Sequence, residues 1–286
     1  MASHETSSAA SALPTPATAA GRDALAAMLR RPRGVLVALD LDGTLAPIVE
    51  NPEDARAHPD AVPVLVGLAA TVGAVAVITG RPAEVAVRNG GFAGVAGLDR
   101  LVVLGHYGAE RWDARTGAVT APEPHPGVAA VRAELPDVLA GAGDRPGVWV
   151  EEKGRAIAVH TRRAPDPQAT FDALRGPLTD LAVRHGLIVE PGRMVLELRP
   201  PGVDKGAALS AYVRETGAEA VLYAGDDLGD LPAFAAVEEL RATGVPGLLV
   251  ASGSTEVTEL STRADLVVDG PEGVVGLLRA FTERAG

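Results

Sequence analysis

The fold turns on residues 34–44, Gly34-Val35-Leu36-Val37-Ala38-Leu39-Asp40-Leu41-Asp42-Gly43-Thr44. The apolar run up to Leu39 has turn signals on both sides, as expected of a strand buried on both faces. Residues two apart in an extended segment share a face, so Asp40 and Asp42 should converge where the strand ends. In open α/β sheets that carboxyl end is where ligands bind. Two carboxylates so close repel unless a cation lies between them or one is protonated. Oxygen-only ligands favour a hard ion such as Mg²⁺. Gly43 permits a sharp turn, and Thr44 can donate to an oxyanion. An ordinary Asx-turn followed by a helix cap explains the same residues equally well when they are taken alone.

Outward from this strand the chain alternates. Residues 61–73 read as a helix, 74–79 as a strand, 83–89 as a short helix and 101–105 as a third strand. The rhythm resumes with a helix at 205–217, a strand at 220–225, a helix at 231–244, strands at 247–252 and 264–268, and a closing helix at 272–286. Such alternation indicates an α/β fold with a parallel sheet and helices on both faces. The middle differs. Residues 111–119 carry a Thr116-Gly117 turn, 148–162 form two β-rich runs around Lys153-Gly154, and 187–198 form two more around Pro191-Gly192. Helical stretches at 128–140 and 169–185 lie between them. The expected plan is a flexible tail at 1–21, a core domain at 22–112 and 199–286, and an inserted α+β cap domain at 113–198.

Composition removes several classes of function. The 286 residues carry a net charge of −11, with two Trp, three Tyr, four Phe and no Cys. The acidic balance argues against a nucleic-acid partner, and the scarcity of aromatics argues against a base-stacking platform. Without cysteine there is no disulfide, thiolate catalysis or cysteine-ligated metal. No apolar run reaches the roughly 18 residues of a membrane span. The Ala-, Ser-, Thr- and Pro-rich start lacks the basic and Leu-rich regions of a signal peptide. A cytoplasmic location without membrane attachment is the expectation.

Three more stretches carry chemistry. Thr79-Gly80-Arg81 ends the second strand, where a hydroxyl beside a helix N-terminus suits a phosphate oxygen; in isolation a plain Thr cap is the better reading. Lys205-Gly206 opens a helix, a position where the macrodipole disfavours a cation, so an anion should compensate. Gly225-Asp226-Asp227-Leu228-Gly229-Asp230 places three carboxylates after an apolar strand, which is costly without a metal.

In this order, the four stretches resemble the motifs of the haloacid dehalogenase superfamily of phosphohydrolases. The resemblance spans the chain from about Arg33 onward. It implies a Rossmann-like core with an inserted cap, Asp40 as nucleophile and Asp42 as general acid and base. Thr79 and Lys205 would hold the phosphate. A Mg²⁺ site would draw on Asp40, Asp42 (through its main-chain carbonyl) and Asp226, with Asp227 beside them. Asp227 or Asp230 would orient metal-bound water or Lys205.

Four stretches resemble trehalose-6-phosphate phosphatases within that superfamily. They are Asp40–Ile48 with Pro52, Ala55 and Pro59; Gly105–Glu110; Val150–Lys153 with His160–Arg162; and Gly192–Pro200. The resemblance implies substrate contacts at Gly43, Thr44, Gly80, Arg81, His106 and Glu110. It implies that Glu151, Lys153, Arg162, Arg193 and Glu197 face the sugar, where carboxylates accept from hydroxyls and cations donate. As bare residues, Glu151–Lys153 and Arg193–Glu197 read as surface cross-strand pairs worth under about 1 kcal/mol each. The resemblance further implies a small sugar phosphate as substrate, a functional link to a trehalose-6-phosphate synthase, and a closing cap with hinges near Arg111–Ala114 and Arg199–Gly202. Departures from the family pattern are Gly229 where Thr is usual, Leu231 where an acid is usual, Arg193 for Lys and Asp204 for Asn. The alternatives are a phosphatase for sucrose-, glucosylglycerol- or mannosylglycerate-phosphate, a phosphosugar mutase, or a catalytically silent sugar-phosphate-binding protein.

Overall fold

The computed structural model describes residues 13–49, 51–253 and 258–286. In chain order the elements are α1 (Ala19–Arg30), β1 (Val35–Leu39), α2 (Ala61–Thr71), β2 (Ala74–Ile78), α3 (Ala83–Gly90), β3 (Leu101–Gly105), β4 (Glu110–Asp113) and β5 (Ala118–Thr120). There follow α4 (Pro126–Gly141), β6 (Trp149–Glu152), β7 (Ile157–His160), α5 (Pro167–Arg184), β8 (Ile188–Gly192) and β9 (Val195–Arg199). The chain closes with α6 (Lys205–Thr216), β10 (Ala220–Gly225), α7 (Leu231–Ala242), β11 (Gly247–Gly253), α8 (Thr258–Arg263), β12 (Leu266–Asp269) and α9 (Gly270–Ala285). Two units form: the chain up to Thr120 together with Asp204 onward, and Ala121–Val203.

The first unit is an eight-stranded sheet in the order β12-β11-β10-β1-β2-β3-β4-β5. All pairings from β12 to β3 are parallel, and β4 and β5 add an antiparallel edge. The period of two sorts the side chains. Val35, Val37 and Leu39 join Met28, Leu65, Leu68 and Phe281 on one face, while Leu36 and Ala38 join Leu209, Tyr223 and Phe234 on the other. Helices α1, α2, α3 and α9 therefore cover one face and α6, α7 and α8 the other, as the sequence rhythm requires. Strand order reverses between β1 and β10, so the crevice beyond their carboxyl ends is the switch point.

The second unit is an antiparallel sheet, β6-β7-β9-β8, with α4 and α5 packed on one face through Val131, Leu135, Leu174, Leu178, Ile157, Val159, Leu196 and Leu198. Asp166 starts α5 by accepting from the Ala169 N–H at 3.0 Å.

Four expectations need correction. The hairpin at 111–119 belongs to the large sheet, because Arg111 and Trp112 pair with both β3 and β5. The large sheet therefore continues to Thr120 rather than ending at 112, and a hinge at Arg111–Ala114 does not suit residues laddered on two sides. The β8–β9 turn is Arg193-Met194, with Pro191 and Gly192 inside β8; Met194 takes the left-handed conformation there (φ 56°). Of the tail expected at 1–21, residues 1–12 lie outside the described residues. Helix α1 begins at Ala19, and Thr18 caps it by accepting from the Gly21 N–H at 2.9 Å. Among the described residues, no helix is long and apolar enough to cross a membrane.

Candidate active site

Parallel register fixes the site. Leu39 lies beside Ala224, and the Asp40 N–H donates to the Ala224 carbonyl at 2.9 Å. Asp40 therefore leaves β1 next to Asp226 leaving β10, and Thr79 follows the neighbouring β2. Carboxylate oxygens of Asp40, Asp226, Asp227 and Asp230 gather within 4.8 Å of one another.

Lys205, the first residue of α6, answers this charge. Its Nζ is 2.8 Å from Asp40 Oδ2 and 2.8 Å from Asp230 Oδ1. These are the anions that a cation at a helix start demanded. Burial alone would push the lysine toward neutrality, but Asp230 and Asp40 outweigh it and hold the pKa well above that of a free lysine. Burial pushes Asp40 well above the usual carboxylate range; Lys205 opposes this, while Asp230, Asp226 and Asp227 add to it. Asp226 is pushed up to about 8, first by burial and then by Asp230 and Asp227. Asp227 lies at the exposed edge of the cluster.

Asp230 is fully buried and saturated. Its Oδ1 accepts from Lys205 and from the Tyr223 hydroxyl at 2.6 Å, and its Oδ2 accepts from the N–H groups of Asp226 (3.0 Å) and Asp227 (3.2 Å). It has no lone pair to spare for a metal and orients Lys205 instead. Asp227 accepts from the Gly229 N–H at 2.9 Å. Asp226 Oδ1 is buried without a hydrogen-bond partner. An orphaned carboxylate oxygen among acids raised by burial fits a hard divalent cation, which would pull those pKa values down again.

Asp42 departs from expectation. The strand ends at Leu39, and the Leu41–Ala46 turn breaks the two-residue alternation, with the N–H groups of Leu45 and Ala46 both donating to the Leu41 carbonyl. The Asp42 carboxylate is outside the acidic cluster and is gripped by Arg81, with Nε at 2.6 Å from Oδ2 and Nη2 at 2.7 Å from Oδ1. Its side chain is therefore no metal ligand here. Gly43 (φ 73°) is obligatory, since a Cβ there would overlap the Asp226 carboxylate.

The remaining positions divide. Thr79 Oγ1 accepts from the Arg81 N–H at 3.2 Å, shaping the turn through Gly80 while leaving its own proton to donate. Thr44 is fully buried, and its Oγ1 makes no hydrogen bond. Glu110 Oε2 accepts from the Ala83 N–H at 2.8 Å, satisfying the start of α3, and its Oε1 lies 3.7 Å from His106 Nε2. His106 (φ 47°) and Tyr107 (φ 58°) are consecutive left-handed residues, and their N–H groups hold the Arg81 and Thr79 carbonyls. In the second unit, Glu151 and Glu197 lie in one rung on the sheet face away from the helices, with Ala158 between them. Lys153 Nζ is 2.5 Å from Glu197 Oε2, and Glu151 Oε2 is 2.9 Å from His160 Nε2. Arg162 follows β7 and Arg193 sits in the β8–β9 turn. The Thr161 N–H donates to the Met194 carbonyl at 2.8 Å, placing both arginines at the same end of that sheet.

Sequence reading missed Tyr223 and Ser252. Tyr223 looks like an apolar strand residue. Ser252, at the end of β11, donates to the Gly43 carbonyl at 2.6 Å across 209 residues of chain. Nothing local to either residue signals such a partner.

Solved structures share this architecture. A haloacid dehalogenase-like hydrolase from Bacteroides thetaiotaomicron superposes with a TM-score of 0.57 at 17% identity, covering 85% of this chain and 97% of that one, a likeness of fold. A trehalose-6-phosphate phosphatase from Aspergillus fumigatus superposes with a TM-score of 0.67 at 25% identity, covering 94% and 99%. Together these give the chain the fold of the haloacid dehalogenase-like hydrolases. The trehalose-phosphatase family profile matches residues 38–271. The chain is 31% identical over 223 residues to the trehalose-6-phosphate phosphatase of Escherichia coli K12, covering 77% of this chain and 78% of that protein. It is 32% identical over 239 residues to a probable trehalose-phosphate phosphatase of Sinorhizobium fredii, covering 79% and 83%. The chain belongs to the trehalose-phosphatase family.

Proposed function

We propose that this protein hydrolyses trehalose 6-phosphate to trehalose and phosphate through an aspartyl-phosphate on Asp40, with Mg²⁺ as cofactor. The observation that carries the reading is the buried Asp40–Lys205–Asp230 bridge at the switch point of the sheet. Family membership and the names of the relatives support the sugar.

An Asp40 oxygen attacks phosphorus and forms a P–O bond as the bond to the sugar 6-oxygen breaks. Asp42 supplies a proton to that leaving oxygen, then takes one from the water that cleaves the acyl phosphate. Both Asp42 oxygens accept from Arg81, so delivery of the proton requires one of those bonds to open. Lys205 and the Thr79 hydroxyl hold phosphoryl oxygens, and Asp230 keeps Lys205 aimed. The Asp40 and Asp226 carboxylates, the Asp42 main-chain carbonyl and Asp227 would hold the cation, whose charge favours the ionised carboxylates and neutralises the phosphoryl oxygens. Glu151, Lys153, Arg162, Arg193 and Glu197 are assigned to the sugar hydroxyls. A functional link to a trehalose-6-phosphate synthase, as source of the substrate, is part of the same proposal.

Asp40→Asn should lower phosphate release at least 10³-fold while substrate binding, followed by calorimetry, persists. A phosphate-release screen over trehalose, sucrose, glucosylglycerol and mannosylglycerate phosphates should give trehalose 6-phosphate the highest kcat/KM. Turnover by Asp40→Asn would overturn the nucleophile, and a better rival sugar would overturn the substrate.

A further inference from the structure

We infer that Tyr223 is a positioning residue for the phosphatase reaction, acting through Asp230 to hold Lys205 against Asp40. This rests on the reading of Lys205 given above.

Two hydrogen bonds and an ion pair run in series through the interior. The Tyr223 hydroxyl donates to Asp230 Oδ1 at 2.6 Å, Lys205 Nζ reaches the same oxygen at 2.8 Å, and the same Nζ reaches Asp40 Oδ2 at 2.8 Å. Tyr223 and Asp230 are fully buried, and Lys205 is 4% exposed, so water does not compete for these bonds. The other Asp230 oxygen is committed to the Asp226 and Asp227 backbone. The carboxylate is thus fixed from both sides: by the loop on Oδ2, and by the phenol and the ammonium on Oδ1. Without the phenol, the plane of the carboxylate is set by the loop and by the lysine it is meant to hold. The lysine then gains freedom to swing with it.

Tyr223 is itself well anchored. It is the fourth residue of β10, in register with Ala38 of β1 and Leu249 of β11, and its ring meets Phe234 edge-on at 6.1 Å and 86°. The phenol oxygen is therefore delivered by the sheet to Asp230, the carboxylate that holds the lysine beside Asp40. A preorganised donor acts mainly where charge develops in the transition state, so its loss should fall on kcat rather than on KM. A tyrosine that merely filled the core would show the opposite: Phe keeps the ring, the edge-on packing and the volume, and turnover would not notice.

The test compares Tyr223→Phe with Phe281→Leu, a fully buried change on the opposite face of the sheet that meets no member of the chain. Phosphate release from trehalose 6-phosphate and from p-nitrophenyl phosphate is measured with Mg²⁺, alongside urea midpoints. Tyr223→Phe should lower kcat about tenfold or more on both substrates, with KM within threefold. Phe281→Leu should lower the urea midpoint and leave kcat within twofold. A kcat within twofold of the parent for Tyr223→Phe overturns the inference, as does a loss that Phe281→Leu reproduces. Should Tyr223→Phe, which keeps the ring and nearly all of its volume, fail to fold, the hydroxyl is structural and the inference falls. Asp40→Asn in the same assay separates the two readings: its turnover would overturn the nucleophile, while the Tyr223 result would still decide whether the tyrosine tunes kcat.

Discussion

Asp226 shows how a single residue reports what its site needs. Burial first, and then Asp230 and Asp227, push its carboxyl up to about 8, against about 4 in an unfolded chain, and one of its oxygens is unpartnered. The sign of the consequence follows. Below about pH 4 both forms carry the proton and nothing is lost; as pH rises through 8 the unfolded chain has already ionised, while the fold must bury a charge. Stability of the metal-free protein should therefore decline across this window. With chelator present, the thermal midpoint is expected to fall between pH 5 and pH 8.5, and Mg²⁺ should raise it more at pH 8.5 than at pH 5. Differential scanning fluorimetry decides; an equal Mg²⁺ effect at both pH values would contradict a cation at Asp226. Asp40 and Asp226 were legible because apolar runs end beside them, and Lys205 because a cation at a helix start calls for an anion. The pairing of Asp42 with Arg81 was not, because alternation stops being a guide once the strand gives way to a turn.

At the scale of elements, helix α6 carries Lys205 to Asp40, and its start is set by Asp204, whose Oδ1 accepts from the Ala207 N–H at 2.8 Å. Asn and Asp cap equally well, which is why this departure from the family pattern is absorbed. Asp204→Asn is expected to leave the urea midpoint and kcat within error. Asp204→Ala should cost about 1 kcal/mol of stability and lower kcat by letting the first turn fray. Loss of stability without loss of kcat would separate the cap from the lysine. The strands and the longer helices were readable from periodicity. The β8–β9 turn lies two residues beyond Pro191-Gly192, because the ladder continues through that turn signal to Gly192.

For the whole molecule, the helix before the family region matters. Residues 13–30 precede the match that begins at residue 38, yet α1 buries Ala24, Leu25 and Met28 in the core shared with α2 and α9. Asp265, almost fully buried, ties this segment down: it accepts from the Thr18 hydroxyl, from Arg241, and from the Leu249 N–H at 2.8 Å. Removing residues 1–30 exposes that face and should cost about 3–6 kcal/mol, counting Leu25 and Met28 as buried side chains. Urea unfolding of the shortened chain measures it, and an unchanged midpoint would make α1 dispensable. The expected core took in residues from 22 onward but not the start of α1 at Ala19, because the Ala-rich composition there matches a loose tail until a partner surface exists.

Local pattern, then, was enough to specify the α/β order, the strand ends bearing Asp40, Thr79 and Asp226, and the helix opening on Lys205. Apolar periodicity and turn chemistry are short-range properties, and a parallel sheet places successive strand ends side by side. Tertiary packing alone decided that Asp230 serves Lys205, that Tyr223 and Ser252 support the site, and that Asp42 faces Arg81. Those partners lie up to 209 residues apart, and only the assembled sheet determines which side chain finds which.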